Sequence, residues 1–174
     1  MNTTIELGLD TFGDVTTDRS GRTLPQAQVI RDVVAQGVLA DEVGIDFIGI
    51  GEHHRADFAV SSPEMVLAAI AARTTRIRLG SAVTVLGSDD PIRVFQRFST
   101  LDAVSNGRAE VILGRGSFIE SFPLFGIALD QYETQFEEKL ALYAAVLASD
   151  RSGEPFSWAG TIRPPLRSDA STAA

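Results

Sequence analysis

A chain of 174 residues, 44% hydrophobic and 22% charged, is long enough for one domain with a hydrophobic core and too apolar for a disordered one. A net charge of −8 argues against nucleic acid as a partner, because a phosphate backbone requires a basic face. With no cysteine, disulfides, thiolate nucleophiles and Cys-ligated metals are excluded.

The opening "MNTTIELGLD" carries no basic segment followed by an apolar stretch, and no run is long enough to cross a bilayer. A cytoplasmic domain with no membrane partner is expected. Ile5 to Asp10 reads as the first strand. Pro25 opens a stretch of helical period through Val29, Val33, Val38 and Val43, and Asp46 to Gly51 is the second strand. Ser62-Pro63, an N-cap and first-turn proline, starts the helix "EMVLAAIAARTT". Ile77 to Leu86 is the third strand, and Asp90-Pro91 repeats the capping device before a helix that stops at Asn106-Gly107. Ala109 to Gly114 is the fourth strand. Asp130 and Glu133 have capping-box spacing, and Tyr132, Phe136, Leu140, Tyr143 and Leu147 form a stripe read as core. The domain is drawn as residues 1–149, and residues 150–174, ending in "RSDASTAA", are read as an irregular, disordered tail.

Strict alternation of strands and helices implies a parallel α/β sheet, whose strand ends gather functional residues along one edge. Unusual residues follow each strand: Thr11-Phe12-Gly13, Glu52-His53-His54, Thr84 to Asp90, and Arg115-Gly116-Ser117. The only two histidines are adjacent, so they leave a strand pointing apart and are poorly arranged to share a metal. One imidazole suits acid–base work or hydrogen bonding, and loop stabilisation competes with that reading. In "GRGSF", glycines let the backbone approach a ligand, and Arg115 offers a fork for phosphate or carboxylate; a structural ion pair competes equally. No Walker loop, dinucleotide fingerprint or nucleophile elbow is present.

The run of "DTFG", "ADEVGIDFIGIGEHHRADF", "AARTTRIRLGSAVTVL", "DDPIRVFQRFSTLDAVSNGRAEVILGRGSFIESFPLFG" and "FEEKLALY" resembles the luciferase-like flavin-dependent monooxygenases in order and spacing, from Ile5 to Leu147. The resemblance implies a TIM-type (β/α)8 barrel that binds reduced FMN, supplied by a flavin reductase, and uses oxygen on a small-molecule substrate. It assigns His53 as the catalytic imidazole near the flavin and Glu52 as its neighbouring acid. Ala82-Val83 matches a non-proline cis peptide beneath the ring, and Arg115 an arginine near the flavin phosphate. Gly116, Ser117 and Phe118 would line the same pocket. Gly114 stands where luciferase itself often has a cysteine, so light emission is not implied. Such a barrel takes about 250 residues. This chain is therefore expected to be a truncated N-terminal half with four βα units, impaired activity, and open sheet edges that favour homo-oligomers. A deazaflavin-dependent reductase on the same fold, a non-catalytic flavin-binding or self-associating fragment, and a subunit that docks on a partner are the alternatives.

Overall fold

The computed structural model describes residues 5–168. Four strands, β1 (Gly8–Thr11), β2 (Phe47–Ile50), β3 (Arg78–Val85) and β4 (Ala109–Gly114), pair in that order. The first two pairings are parallel, with Gly8 opposite Phe47 and Phe47 opposite Arg78. Helices α1 (Gln26–Val43), α2 (Pro63–Ala71) and α3 (Pro91–Ser105) make the crossovers. After β4 come the short α4 (Ser121–Leu124), the long α5 (Tyr132–Ser152), and the antiparallel pair β5 (Phe156–Trp158) and β6 (Leu166–Ser168). The chain divides into two compact units, the first up to Thr84 plus Leu101–Ile112, the second Val85–Thr100 plus everything from Leu113. Among the described residues, no helix is long and apolar enough to cross a membrane.

In the first unit, Ile48, Ile50, Leu79, Leu67 and Ile70 are at most 2% exposed, so the crossover helices bury one sheet face. α1 approaches α2 closely because residue 37 is glycine; a Cβ there would lie 2.6 Å from Ile70 Cδ1. The turns below the sheet are tied by two side chains. The Asp41 carboxylate accepts the backbone N–H groups of Thr75, Arg76 and Ile77 at 3.2, 3.0 and 2.7 Å. Burial pushes the Asp41 carboxyl up, but those donors and the Arg76 charge hold it below the usual carboxylate range. The Arg108 guanidinium donates to the carbonyls of Ser105, Ile77, Ala71 and Thr74 and to Thr74 Oγ1, over 2.7–3.1 Å.

In the second unit, Val94, Phe95, Phe122, Leu142 and Val146 form the core, and Phe95 meets Tyr143 edge-on at 6.3 Å. Two N-terminal signals hold: Pro63 begins α2, and Asp90 Oδ1 accepts from the N–H groups of Ile92 and Arg93. Asn106 and Gly107 both adopt positive φ, at 61° and 82°, where α3 stops.

Four expectations are corrected. Ser62 occupies the N-cap of α2 without a side-chain cap bond. The capping box does not form: Asp130 lies in a 3-10 turn, Leu129–Gln131, and Glu133 pairs with Arg115 instead. The buried stripe of α5 is Gln135, Leu142, Tyr143, Val146 and Ser149, while Leu140 is 39% exposed. Hydrogen-bonding residues take positions on the packed face, so hydrophobicity alone misplaces it. Residues 150–168 are not a featureless tail, since α5 runs to Ser152 and β5 pairs with β6; residues 169–174 lie outside the described residues. One anchor past 150 is Glu138, whose carboxylate accepts from Thr161 N and Oγ1 and from Ile162 N at 2.7–2.9 Å. Burial pushes the Glu138 carboxyl up, but the Thr161 hydroxyl and the backbone donors of residues 161–163 outweigh it, lowering it to about 2.

Two outcomes follow from these anchors. Arg108→Lys, which cannot serve five acceptors in one plane, should cost about 2–4 kcal/mol in urea unfolding, since several buried carbonyls lose their donors. Because Glu138 is depressed in the folded chain, its contribution is complete above the ordinary carboxyl pKa of about 4.3 and fades as pH falls toward 2. Trp158, the one tryptophan, should report that transition by fluorescence. In Glu138→Gln its emission should already be changed at pH 7 and insensitive over the same window.

Candidate functional site

Parallel partners share a sheet face, so the register puts Gly8, Asp10, Phe47, Gly49, Arg78 and Gly80 together on the face opposite the buried core, with Ala82 two residues further along β3. Three glycines make close approach possible on this face. A Cβ on Gly80 would lie 2.5 Å from the Phe47 ring, and one on Gly49 would lie 2.8 Å from Ala82 Cβ and 3.1 Å from Asp10 Oδ1. A Cβ on Gly51 would strike the Phe12 ring at 2.1 Å and come 3.1 Å from the Ala82 carbonyl oxygen. The end of β2 therefore abuts Ala82, and the Ala82-Val83 peptide is cis.

Glu52, His53 and His54 follow directly. The loop they open is closed by His53 N–H donating to the Val60 carbonyl and fastened to the loop after β1 by Ala59 N–H on the Gly13 carbonyl. The two imidazoles diverge. His53 lies between aromatic rings, stacked on Phe58 at 4.2 Å and edge-on to Phe12 at 5.0 Å. His54 Nε2 is 2.9 Å from Glu52 Oε1, and both side chains are about nine-tenths buried. Arg55 pairs with Asp57 at the loop tip, which lowers the Asp57 carboxyl below its ordinary range. Burial pushes Asp10, at the end of β1, above its ordinary range.

The remaining sequence-predicted residues belong to the second unit. Arg115 pairs with Glu133 at 2.6 Å and stands 5.8 Å from the Tyr132 ring centroid, and Glu133 raises its pKa further. Both charges are at least half exposed, at 50% and 61%, so an anion can reach the guanidinium. Gly116 takes φ +83°, accepts a hydrogen bond from the Tyr132 hydroxyl at its carbonyl, and would bring a Cβ within 2.8 Å of Val85. Ser117 is exposed, and Phe118 is 39% exposed.

The first unit thus brings Glu52, Ala82 and Val83 to one strand edge and encloses His53 in aromatic rings. The second presents Arg115, Gly116, Ser117 and Phe118 on the segment after β4. Sequence reasoning missed the Glu52–His54 pairing, the rings around His53, and Asp10. The aromatic residues at 12 and 58 were visible in the sequence, but only the folded loops bring them to the imidazole.

A sequence model of the luciferase-like monooxygenase family matches residues 11–173. The chain is 34% identical over 111 residues to 4-hydroxyprotoasukamycin monooxygenase of Streptomyces nodosus subsp. asukaensis, covering 63% of this chain and 30% of that one. It is 33% identical over 119 residues to limonene 1,2-monooxygenase of Rhodococcus erythropolis, covering 68% and 31%. Among solved structures, the oxygenating constituent of 3,6-diketocamphane monooxygenase from a Pseudomonas putida plasmid, in complex with FMN, superposes with TM-score 0.79 at 24% identity, over 95% of this chain and 44% of that one. An F420-dependent secondary alcohol dehydrogenase, in complex with an F420-acetone adduct, gives TM-score 0.74 at 18% identity, over 97% and 48%. These two likenesses show the fold. The chain spans about a third of the length of the curated relatives it matches.

Gly51→Ala should cost about 1–3 kcal/mol in urea unfolding, because its Cβ displaces Phe12 and crowds the Ala82 carbonyl. Phe12→Ala in the same chain should recover part of that cost. Equal stability of Gly51→Ala and wild type would contradict the close packing at the end of β2.

Proposed function

Because the chain belongs to the luciferase-like monooxygenase family, we propose that it binds reduced FMN and takes part in oxygenating a small organic substrate. In this reading it comprises the first four βα units of a (β/α)8 barrel. The observation that carries the proposal is the arrangement at the end of β2, where Gly51 abuts Ala82 and Glu52 and His53 follow. That edge of a parallel α/β sheet is where such folds bind ligands.

The residues fit the group. In the first unit, Ala82 and Val83, joined by a cis peptide near the strand end, supply an apolar surface suited to the face of a planar ring. Phe12 and Phe58 enclose the His53 imidazole. In the second unit, Arg115 supplies a guanidinium suited to phosphate, and Gly116 a backbone with no side chain; Ser117 and Phe118 extend that segment. When bound, reduced flavin would supply the electrons with which oxygen is activated. The chain's own part is to hold the ring, place Glu52 beside it, and present the His53 imidazole for proton transfer or hydrogen bonding. A separate reductase would deliver the reduced cofactor, and the open edge at β1, where Leu9 is 46% exposed, would favour self-association.

Hydride transfer with a deazaflavin is the second reading, supported by the fold shared with the F420-dependent alcohol dehydrogenase. Equilibrium titration with FMN and, separately, with F420 tests both. We expect saturable FMN binding, weakened about tenfold or more in Arg115→Ala and His53→Ala, a loss of roughly 1.4 kcal/mol each. Preference for F420 would favour the reductase. Saturable FMN binding without oxygen uptake would favour a non-catalytic flavin-binding fragment, and no binding of either cofactor would remove the flavin reading.

A further inference from the structure

Building on the flavin reading of this site, we propose that His54 is a positioning residue that acts through Glu52. The two histidines are neighbours in sequence with different surroundings. His53 is stacked on Phe58, whereas His54 turns to Glu52 and meets its carboxylate at 2.9 Å. The Glu52 side chain is 9% exposed and that of His54 10%. A carboxylate withdrawn this far from water is oriented by its close polar neighbours, and the imidazole is one of them.

Position makes the pairing consequential. Gly51, the residue before Glu52, lies against the Ala82 carbonyl and the Phe12 ring, so its backbone is fixed. The next side chain out is Glu52. His54 therefore helps fix how that carboxylate is presented at the strand end, and His54→Ala removes that constraint. His54 itself is assigned no contact with cofactor or substrate. Its role is to hold the acid, as a carboxylate holds the imidazole of a catalytic triad with the partners reversed.

A binding cycle tests this. Wild type, Glu52→Gln, His54→Ala and the double variant are titrated with FMN by flavin fluorescence, and the thermal midpoint of each is followed in parallel. Each single change should weaken binding about tenfold, and the double variant should bind no more weakly than either single one. His54→Gln, which still presents an N–H donor, should recover most of the loss, including where His54→Ala proves poorly folded. Multiplying losses in the double variant, wild-type affinity in His54→Ala, or no rescue by His54→Gln would overturn the positioning role. These outcomes, with wild type still binding FMN, would leave the flavin reading standing. Failure of wild type to bind either FMN or F420 would remove both.

Discussion

The first unit depends on how the ends of its crossover helices are satisfied. A helix C-terminus leaves four carbonyls without intrahelical donors, and a turn that leads into a buried strand cannot hand all of them to water. Arg108 answers for two helices at once. Its single planar fork reaches Ala71 and Thr74 at the end of α2, Ile77 at the entry to β3 and Ser105 at the end of α3. Asp41 does the complementary work, accepting the N–H groups of residues 75–77 from the last turn of α1. Both act just before strands begin, so the strands start from fixed points and the residues at their far ends can be chosen for chemistry.

At those far ends the design is one of small residues and enclosed polar ones. Gly49, Gly51 and Gly80 remove side chains where Phe47, Phe12 and Ala82 must approach, and the space is taken by aromatic rings. The polar groups that follow β2 are each given a defined neighbour: His53 has rings and His54 has a carboxylate. Adjacent residues at a strand end diverge, so two identical side chains take up different roles. In the second unit the logic is looser. Arg115 and Glu133 pair across exposed ground, where an ion pair contributes little stability and gives way easily to another anion.

Much of this was legible in the sequence because it is local. Asp90-Pro91 and Asn106-Gly107 announce helix ends through their own backbone preferences, and the four strands show as apolar runs in alternation with helical period. The divergence of His53 and His54 follows from strand geometry alone. What stayed hidden is tertiary. The partners of Arg108 lie up to 37 residues away, and nothing in "SNGRAEV" names them. Glu133 has the spacing of a capping residue but pairs with Arg115, 18 residues away in the chain. The segment between β5 and β6 is anchored to α5, where Glu138 holds residues 161–163, so composition at the end of the chain could not reveal it.

The central claim is that the segments following these strands are the ligand-binding part of the molecule. The most direct measurement is backbone hydrogen exchange of the purified chain with and without saturating FMN. The account predicts slowed exchange in residues 51–60, 82–88 and 114–118, with the turns around Asp41 and Arg108 unchanged. Slowed exchange confined to other segments, or none under conditions of saturation, would contradict it.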